Sequence, residues 1–155
     1  FRIRSMMMSS TSQQYLKSTS SQPRLDVKDK CIVVTGGGSG IGAALCIEFA
    51  RFGASCISIV DMNEHNAHRT AEFCKTKHQS KTFVLVADVS KEDQVANVIQ
   101  STEQMFGPID LFVANAGVYV DEIETDGSWS IPTALEWEQT MNINLLQHLH
   151  VIKFM

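Results

Sequence analysis

From Asp26 onward, short apolar runs alternate with longer stretches in which apolar and polar residues mix at helical spacing. The runs 30–35 (KCIVVT), 56–61 (CISIVD), 82–87 (TFVLVA) and 110–114 (DLFVA) each predict a short buried strand. Between them, 40–51, 64–78 and 91–106 predict helices, the first closed by Gly53. Ser90 is the expected N-cap of the third, with Asp93 three residues on in a capping-box arrangement. Gly107 and Pro108 stop that helix, since glycine suits the position past a helix end and proline cannot continue one. A polar stretch at 121–132 interrupts the alternation. Thr133, with Glu136 three residues later, then opens a last helix expected to run to about the end of the chain. Strands apolar along their whole length belong to a parallel sheet covered on both faces. Right-handed crossovers give such a sheet a doubly wound α/β arrangement, here in strand order 3-2-1-4 with the fourth strand as an edge.

Composition narrows the picture. The 155 residues fit one domain, and a hydrophobic content of 44% is enough for a core. Nothing approaches the roughly 18 consecutive apolar residues of a membrane span, so no membrane partner is expected. The net charge of -4 is unevenly spread. Residues 1–25 hold Arg2, Arg4, Lys17 and Arg24 with no acid, and are rich in Ser and Thr, which predicts a disordered leader. Its Arg and Ser content also suits an organelle transit peptide, although a floppy tail or translated upstream sequence is the preferred reading. Residues 26–155 then form the folded domain, with 9 bases against 17 acids. An acidic body argues against a nucleic-acid partner, because phosphate binding needs a cationic face. Cys31, Cys46, Cys56 and Cys74 each lie in or beside an apolar run and make no CxxC pair. They read as free buried thiols in a reducing compartment, the cytoplasm.

Candidate chemistry begins at the turn after the first strand, Thr35-Gly36-Gly37-Gly38-Ser39-Gly40-Ile41-Gly42. A helix N-terminus leaves backbone N–H groups unpaired and carries partial positive charge, and a pyrophosphate can use both if the backbone comes close. Gly36 permits the sharp exit from the strand, Gly40 removes a side chain that would block the pyrophosphate, and Gly42 allows close helix packing. Ser39, Gly40, Ile41 and Gly42 supply the cradle. Asp61 ends the second strand, 19 residues beyond Gly42, the place that faces an adenosine ribose in this topology. Its carboxylate accepts hydrogen bonds from ribose hydroxyls and repels a 2′-phosphate. No Arg or Lys in the glycine turn or at 61–64 offsets that repulsion. The expected cofactor is therefore NAD in preference to NADP.

These residues resemble the short-chain dehydrogenase/reductase family, over about 28–155. Its TGxxxGxG pattern is met by Thr35, Gly36, Gly40 and Gly42. Asp88 and Val89, after the third strand, look like its adenine-contacting pair. Asn115-Ala116-Gly117 is similar to its NAG motif, which steadies the central sheet and lines the cofactor channel. Trp137 to Asn144 (WEQTMNIN) looks like the entry to its long fourth helix, with Asn144 in the position of the catalytic asparagine. Asn142 is a competing candidate at a poorer spacing. The resemblance implies a Rossmann-type fold, hydride transfer between NAD(H) and a small-molecule alcohol or ketone, and a homo-oligomeric parent protein.

The resemblance also implies a Ser and a YxxxK pair, in which a cationic Lys lowers the Tyr pKa. Tyr15 is followed four residues on by Thr19 and Tyr119 by Ile123, so neither makes that pattern. The chain therefore reads as a fragment, incomplete after the fourth strand and fourth helix and expected to have negligible turnover alone. A catalytically silent dinucleotide-binding module and a non-functional fragment are the other function classes. Packing is the preferred role for Tyr119. His65 and His68 lack a third ligand nearby, and His148 and His150 face different ways, so no metal is expected. Asp121, Glu122, Glu124 and Asp126 read as a solvated loop.

Overall fold

The computed structural model describes residues 26–119 and 132–155. The leader 1–25 and the acids Asp121, Glu122, Glu124 and Asp126 lie outside the described residues.

Four strands, β1 (Cys31–Thr35), β2 (Cys56–Asp61), β3 (Lys81–Val86) and β4 (Leu111–Val113), make one parallel sheet in the order β3-β2-β1-β4. The pairing runs from Cys31 opposite Cys56 to Thr35 opposite Val60, and Ile32 lies opposite Leu111. The expected order holds, with strand ends shifted by a residue at β1 and β3 and β4 shorter than its apolar run. Helices α1 (Gly40–Arg51), α2 (Glu64–His78) and α3 (Glu92–Phe106) fill the crossovers.

Successive residues of a strand point to opposite faces of the sheet. Ile32, Val34, Ile57 and Ile59 therefore share one face and pack with Cys46 and Ala50 of α1 and Ala67, Ala71 and Cys74 of α2. Val33 and Val60 point the other way and pack with Val98 of α3. Both faces of β1 and β2 are covered, as expected of unbroken apolar runs, whereas β3 and β4, at the two edges of the sheet, are only part-buried and not the buried strands their runs predicted. The three isoleucines are 0% exposed, and burying each contributes about 1.5–3 kcal/mol. Ser58, the polar residue inside β2, is satisfied by Thr102 of α3, whose hydroxyl donates to it at 3.0 Å.

The start of α3 differs from expectation. Lys91, not Ser90, is the N-cap residue, and no side chain caps the helix. The Ser90 backbone N–H instead donates to the Asp88 carboxylate at 2.9 Å, and the Gln94 side chain accepts from the Asp88 backbone at 2.7 Å. The carboxylate and amide therefore organise the turn that the Ser–Asp spacing was expected to organise. Two acids in the first turn, Glu92 and Asp93, complement the helix dipole.

The last helical region also departs from the pattern. Thr133 and Glu136 form the expected capping box and start α4 (Ala134–Met141). A π-turn at Asn142–Leu146 then interrupts it before α5 (Gln147–Phe154). The Asn144 and Gln147 side chains leave the helix to bond with the loop after β4, so local periodicity does not decide their orientation. Trp137, Met141, Leu145, Leu149 and Ile152 recur at helical spacing on the exposed side of this arm. Tyr119 is expected to pack, but among the described residues it is 80% exposed, lying in the loop that follows the end of β4 at Val113.

Candidate functional site

The site forms where four strand ends meet one helix N-terminus. After Thr35 the chain turns through Gly36, whose φ of 65° lies in the region L side chains avoid. A Cβ there would meet the Ala116 Cα at 3.0 Å. At Gly42 a Cβ would collide with the Gly36 carbonyl oxygen and approach the Asn115 side-chain nitrogen to 2.7 Å. The close approach expected of Gly42 is thus to the turn and the loop after β4. At Gly40 an added Cβ would meet nothing within 4 Å. It would project into open space beside the helix end.

That space is a cleft of about 540 Å³. It is lined by Gly36, Ser39, Gly40, Ile41 and Gly42 of the turn and helix start, by Asp61 and Met62 at the end of β2, by Asp88 and Val89 after β3, and by Asn115, Ala116 and Gly117 after β4. All eleven residues expected to touch the cofactor are therefore brought together. Asn144 is not part of the lining, but its neighbour Ile143 and its partner Val118 are.

The electrostatics of the cleft are asymmetric. Of the three helices that follow strands, α2 is capped by Asn63 and has Glu64 in its first turn, and α3 has two acids there. Helix α1 has neither a side-chain cap nor an acid in its first turn. Its 12 residues direct an uncompensated positive end into the cleft. Beside it, one Asp61 carboxylate oxygen accepts from the Gly38 backbone N–H and the other from that of Asn63, both at 2.9 Å. Each oxygen keeps a second lone pair, so Asp61 both fastens the glycine turn and presents negative charge at the cleft wall.

Thr35 organises the rear of the site. Its hydroxyl accepts from the backbone N–H groups of Asn115 at 2.9 Å and Ala116 at 3.0 Å, and the Asn115 side chain donates to the Thr35 carbonyl at 2.9 Å. The Asn144 side chain clasps Val118 at both ends: its oxygen accepts from the Val118 N–H and its nitrogen donates to the Val118 carbonyl, each at 2.8 Å. Among the described residues Asn142 makes no comparable clasp. Sequence reasoning missed Gln147, which is buried behind Ala116. A lone Gln in an amphipathic segment gives no signal of its own.

The remaining titratable groups lie elsewhere. All four cysteines are buried and free. Burial pushes the Cys31 and Cys46 thiols up to about 12, Cys31 also through its neighbour Cys56, and the Cys74 thiol up to about 11. His148 and His150 lie against the carbonyls of Leu145 and Val89. Among the described residues no three His, Cys, Asp or Glu side chains converge as metal ligands do. Among the described residues, too, no helix is long and apolar enough to cross a membrane.

Residues 30–155 match the family model described as short chain dehydrogenase. Levodione reductase of Leifsonia aquatica is 33% identical over 129 residues, which cover 83% of this chain and 46% of that protein. Among solved structures, NAD+-bound xylitol dehydrogenase superposes with a TM-score of 0.71 at 26% identity, over 83% of this chain and 47% of that one. L-sorbose reductase from Gluconobacter frateurii, complexed with NADPH and L-sorbose, does so with 0.72 at 26% identity, over 83% and 46%. The chain spans less than half the length of these relatives.

Proposed function

The chain belongs to the short chain dehydrogenase family, and on that footing we propose that it is the cofactor-binding part of an oxidoreductase that moves hydride between NAD(H) and a small alcohol or ketone. The observation that carries the reading is the uncapped N-terminus of α1 opening into a cleft that Asp61 also lines. The free N–H groups at 39–41 hold a diphosphate, with open space at Gly40 for its oxygens. The spare lone pairs of Asp61 accept from the ribose hydroxyls. Asp88 and Val89 border the adenine, and Asn115, Ala116 and Gly117 line the path of the nicotinamide half. Asn144, in the position of the family's catalytic asparagine, stands at the end of that path. The dinucleotide supplies the hydride chemistry, and the protein binds and orients it.

Cofactor choice follows from charge. A 2′-phosphate at the ribose would meet the Asp61 carboxylate, and residues 61–64 and the glycine turn offer no Lys or Arg to neutralise it. NAD is therefore favoured over NADP. Fluorescence titration with NADH and NADPH tests this. NADH should bind at least about tenfold more tightly, and Asp61→Ala should narrow the gap by weakening NADH. Failure to bind either cofactor would sink the functional reading, and tighter NADPH binding would reverse the cofactor choice.

A further inference from the structure

Gln147 is the largest polar side chain among the fully buried described residues, 1% exposed. It is also the buried residue of α5, while Leu149 and Ile152 on the same helix face outward. A helix that turns an amide inward and leucine outward inverts the usual pattern. A buried primary amide is costly unless its hydrogen bonds are made. Here they are. The Thr35 hydroxyl donates to the Gln147 side-chain oxygen at 3.1 Å. The Gln147 side-chain nitrogen donates to the Ile143 carbonyl at 2.7 Å and to the Ala116 carbonyl. Thr35 already accepts two backbone bonds, so its single proton is what remains for Gln147, the Val113 carbonyl being a longer alternative at 3.4 Å.

One amide thus joins three segments: the end of β1, the loop after β4 and the π-turn. Ile143 immediately precedes Asn144 in the π-turn. Ala116 and Val118 flank Gly117, the first held by Gln147 and the second by Asn144. We infer that Gln147 is a positioning residue: it anchors the π-turn that presents Asn144 and sets the position of the loop at 115–118, and so governs binding of the nicotinamide half of the cofactor but not the adenosine half. The glycine cradle and Asp61 make none of their hydrogen bonds through it. This inference rests on the dinucleotide reading above.

The test compares two ligands on Gln147→Met, which keeps the length of the side chain and removes its donor and acceptor. ADP engages the cradle alone, and NADH also passes Ala116 and Gly117. The variant should bind ADP as the unaltered protein does and NADH about tenfold more weakly. Equal weakening of both ligands, or none, would overturn the inference. If the unaltered protein bound neither ligand, the dinucleotide reading itself would fail. NMR of the unaltered protein supplies a ligand-free check that also covers a variant that does not fold. The Gln147 side-chain amide protons should exchange far more slowly than those of exposed glutamines. In Gln147→Met, the Asn144 side-chain and Val118 backbone resonances should move while that of Gly38 stays. Fast exchange of the Gln147 protons, or unmoved Asn144 and Val118 signals in a folded variant, would also overturn it.

Discussion

The sheet with α1 and α2 and the arm made by α4, the π-turn and α5 are held in different ways. In the first, Ile32, Val34, Ile57 and Ile59 are fully buried between strand and helix, and the contacts are apolar and many. In the second, α4 and the π-turn contain no fully buried residue, and α5 contains Gln147 alone. Ile143 and Val151 touch the core at its edge. The arm is fastened mainly by a few polar links: Asn144 to Val118, Gln147 to Ala116 and Thr35, and Lys153 to Glu92. Hydrophobic burial fixes position over a broad area and tolerates small changes of direction, whereas hydrogen bonds fix direction at single points. The cradle needs the first kind of support and the placement of Asn144 needs the second.

The largest expected effect breaks the first region. Ile57→Ala should cost about 2–5 kcal/mol in urea unfolding, whereas Leu149→Ala or Ile152→Ala on the arm should change stability by less than about 0.5 kcal/mol. Comparable losses at both places would erase the distinction. A middle-sized effect is expected at their junction. Asn115→Ala removes the donor to the Thr35 carbonyl and should cost about 1–3 kcal/mol, with the loop amides of Ala116 and Val118 losing hydrogen-exchange protection before those of β1.

Acid should separate the regions more gently. The hydrogen bond from Lys153 holds the Glu92 carboxyl below its ordinary value of 4.5, and the charges of Lys153 and His150 add to this. Because the folded pKa is depressed, the contribution is present above 4.5 and is lost as the pH falls through the lower folded value. Amide protection in α5 should therefore decline in that acid range while β1 and β2 remain protected, and Glu92→Gln should remove the dependence. The smallest perturbation is chemical labelling. With Cys31 and Cys46 pushed up to about 12, iodoacetamide at neutral pH should leave all four thiols unmodified in the native protein and label all four in urea. Rapid labelling of the native protein would show the β1–β2 face to be open.

The glycine turn, β2 and its terminal Asp61, and the helices α1 and α2 were legible in the sequence because each is set by neighbours a few residues away. Apolar runs, glycines and helical spacing carry that information within one element. The capping box at Thr133 was readable for the same reason. The Ser90 cap was misread because the competing partner, Gln94, reaches back to Asp88 across the turn, and two local patterns offered themselves for one set of donors. The π-turn could not be read, since helical periodicity through 134–154 suggests one continuous helix.

The sequence by itself determined a parallel sheet with an anion-ready helix end and a carboxylate beside it, because short-range sterics and burial on both sheet faces leave few alternatives. Only the tertiary structure decided how Thr35, Asn115, Asn144 and Gln147 meet. The hydrogen bonds that join them to other segments span 26 to 112 positions of the chain, and no local pattern encodes a partner that far away. A polar side chain becomes a brace or a surface residue according to what the fold brings opposite it.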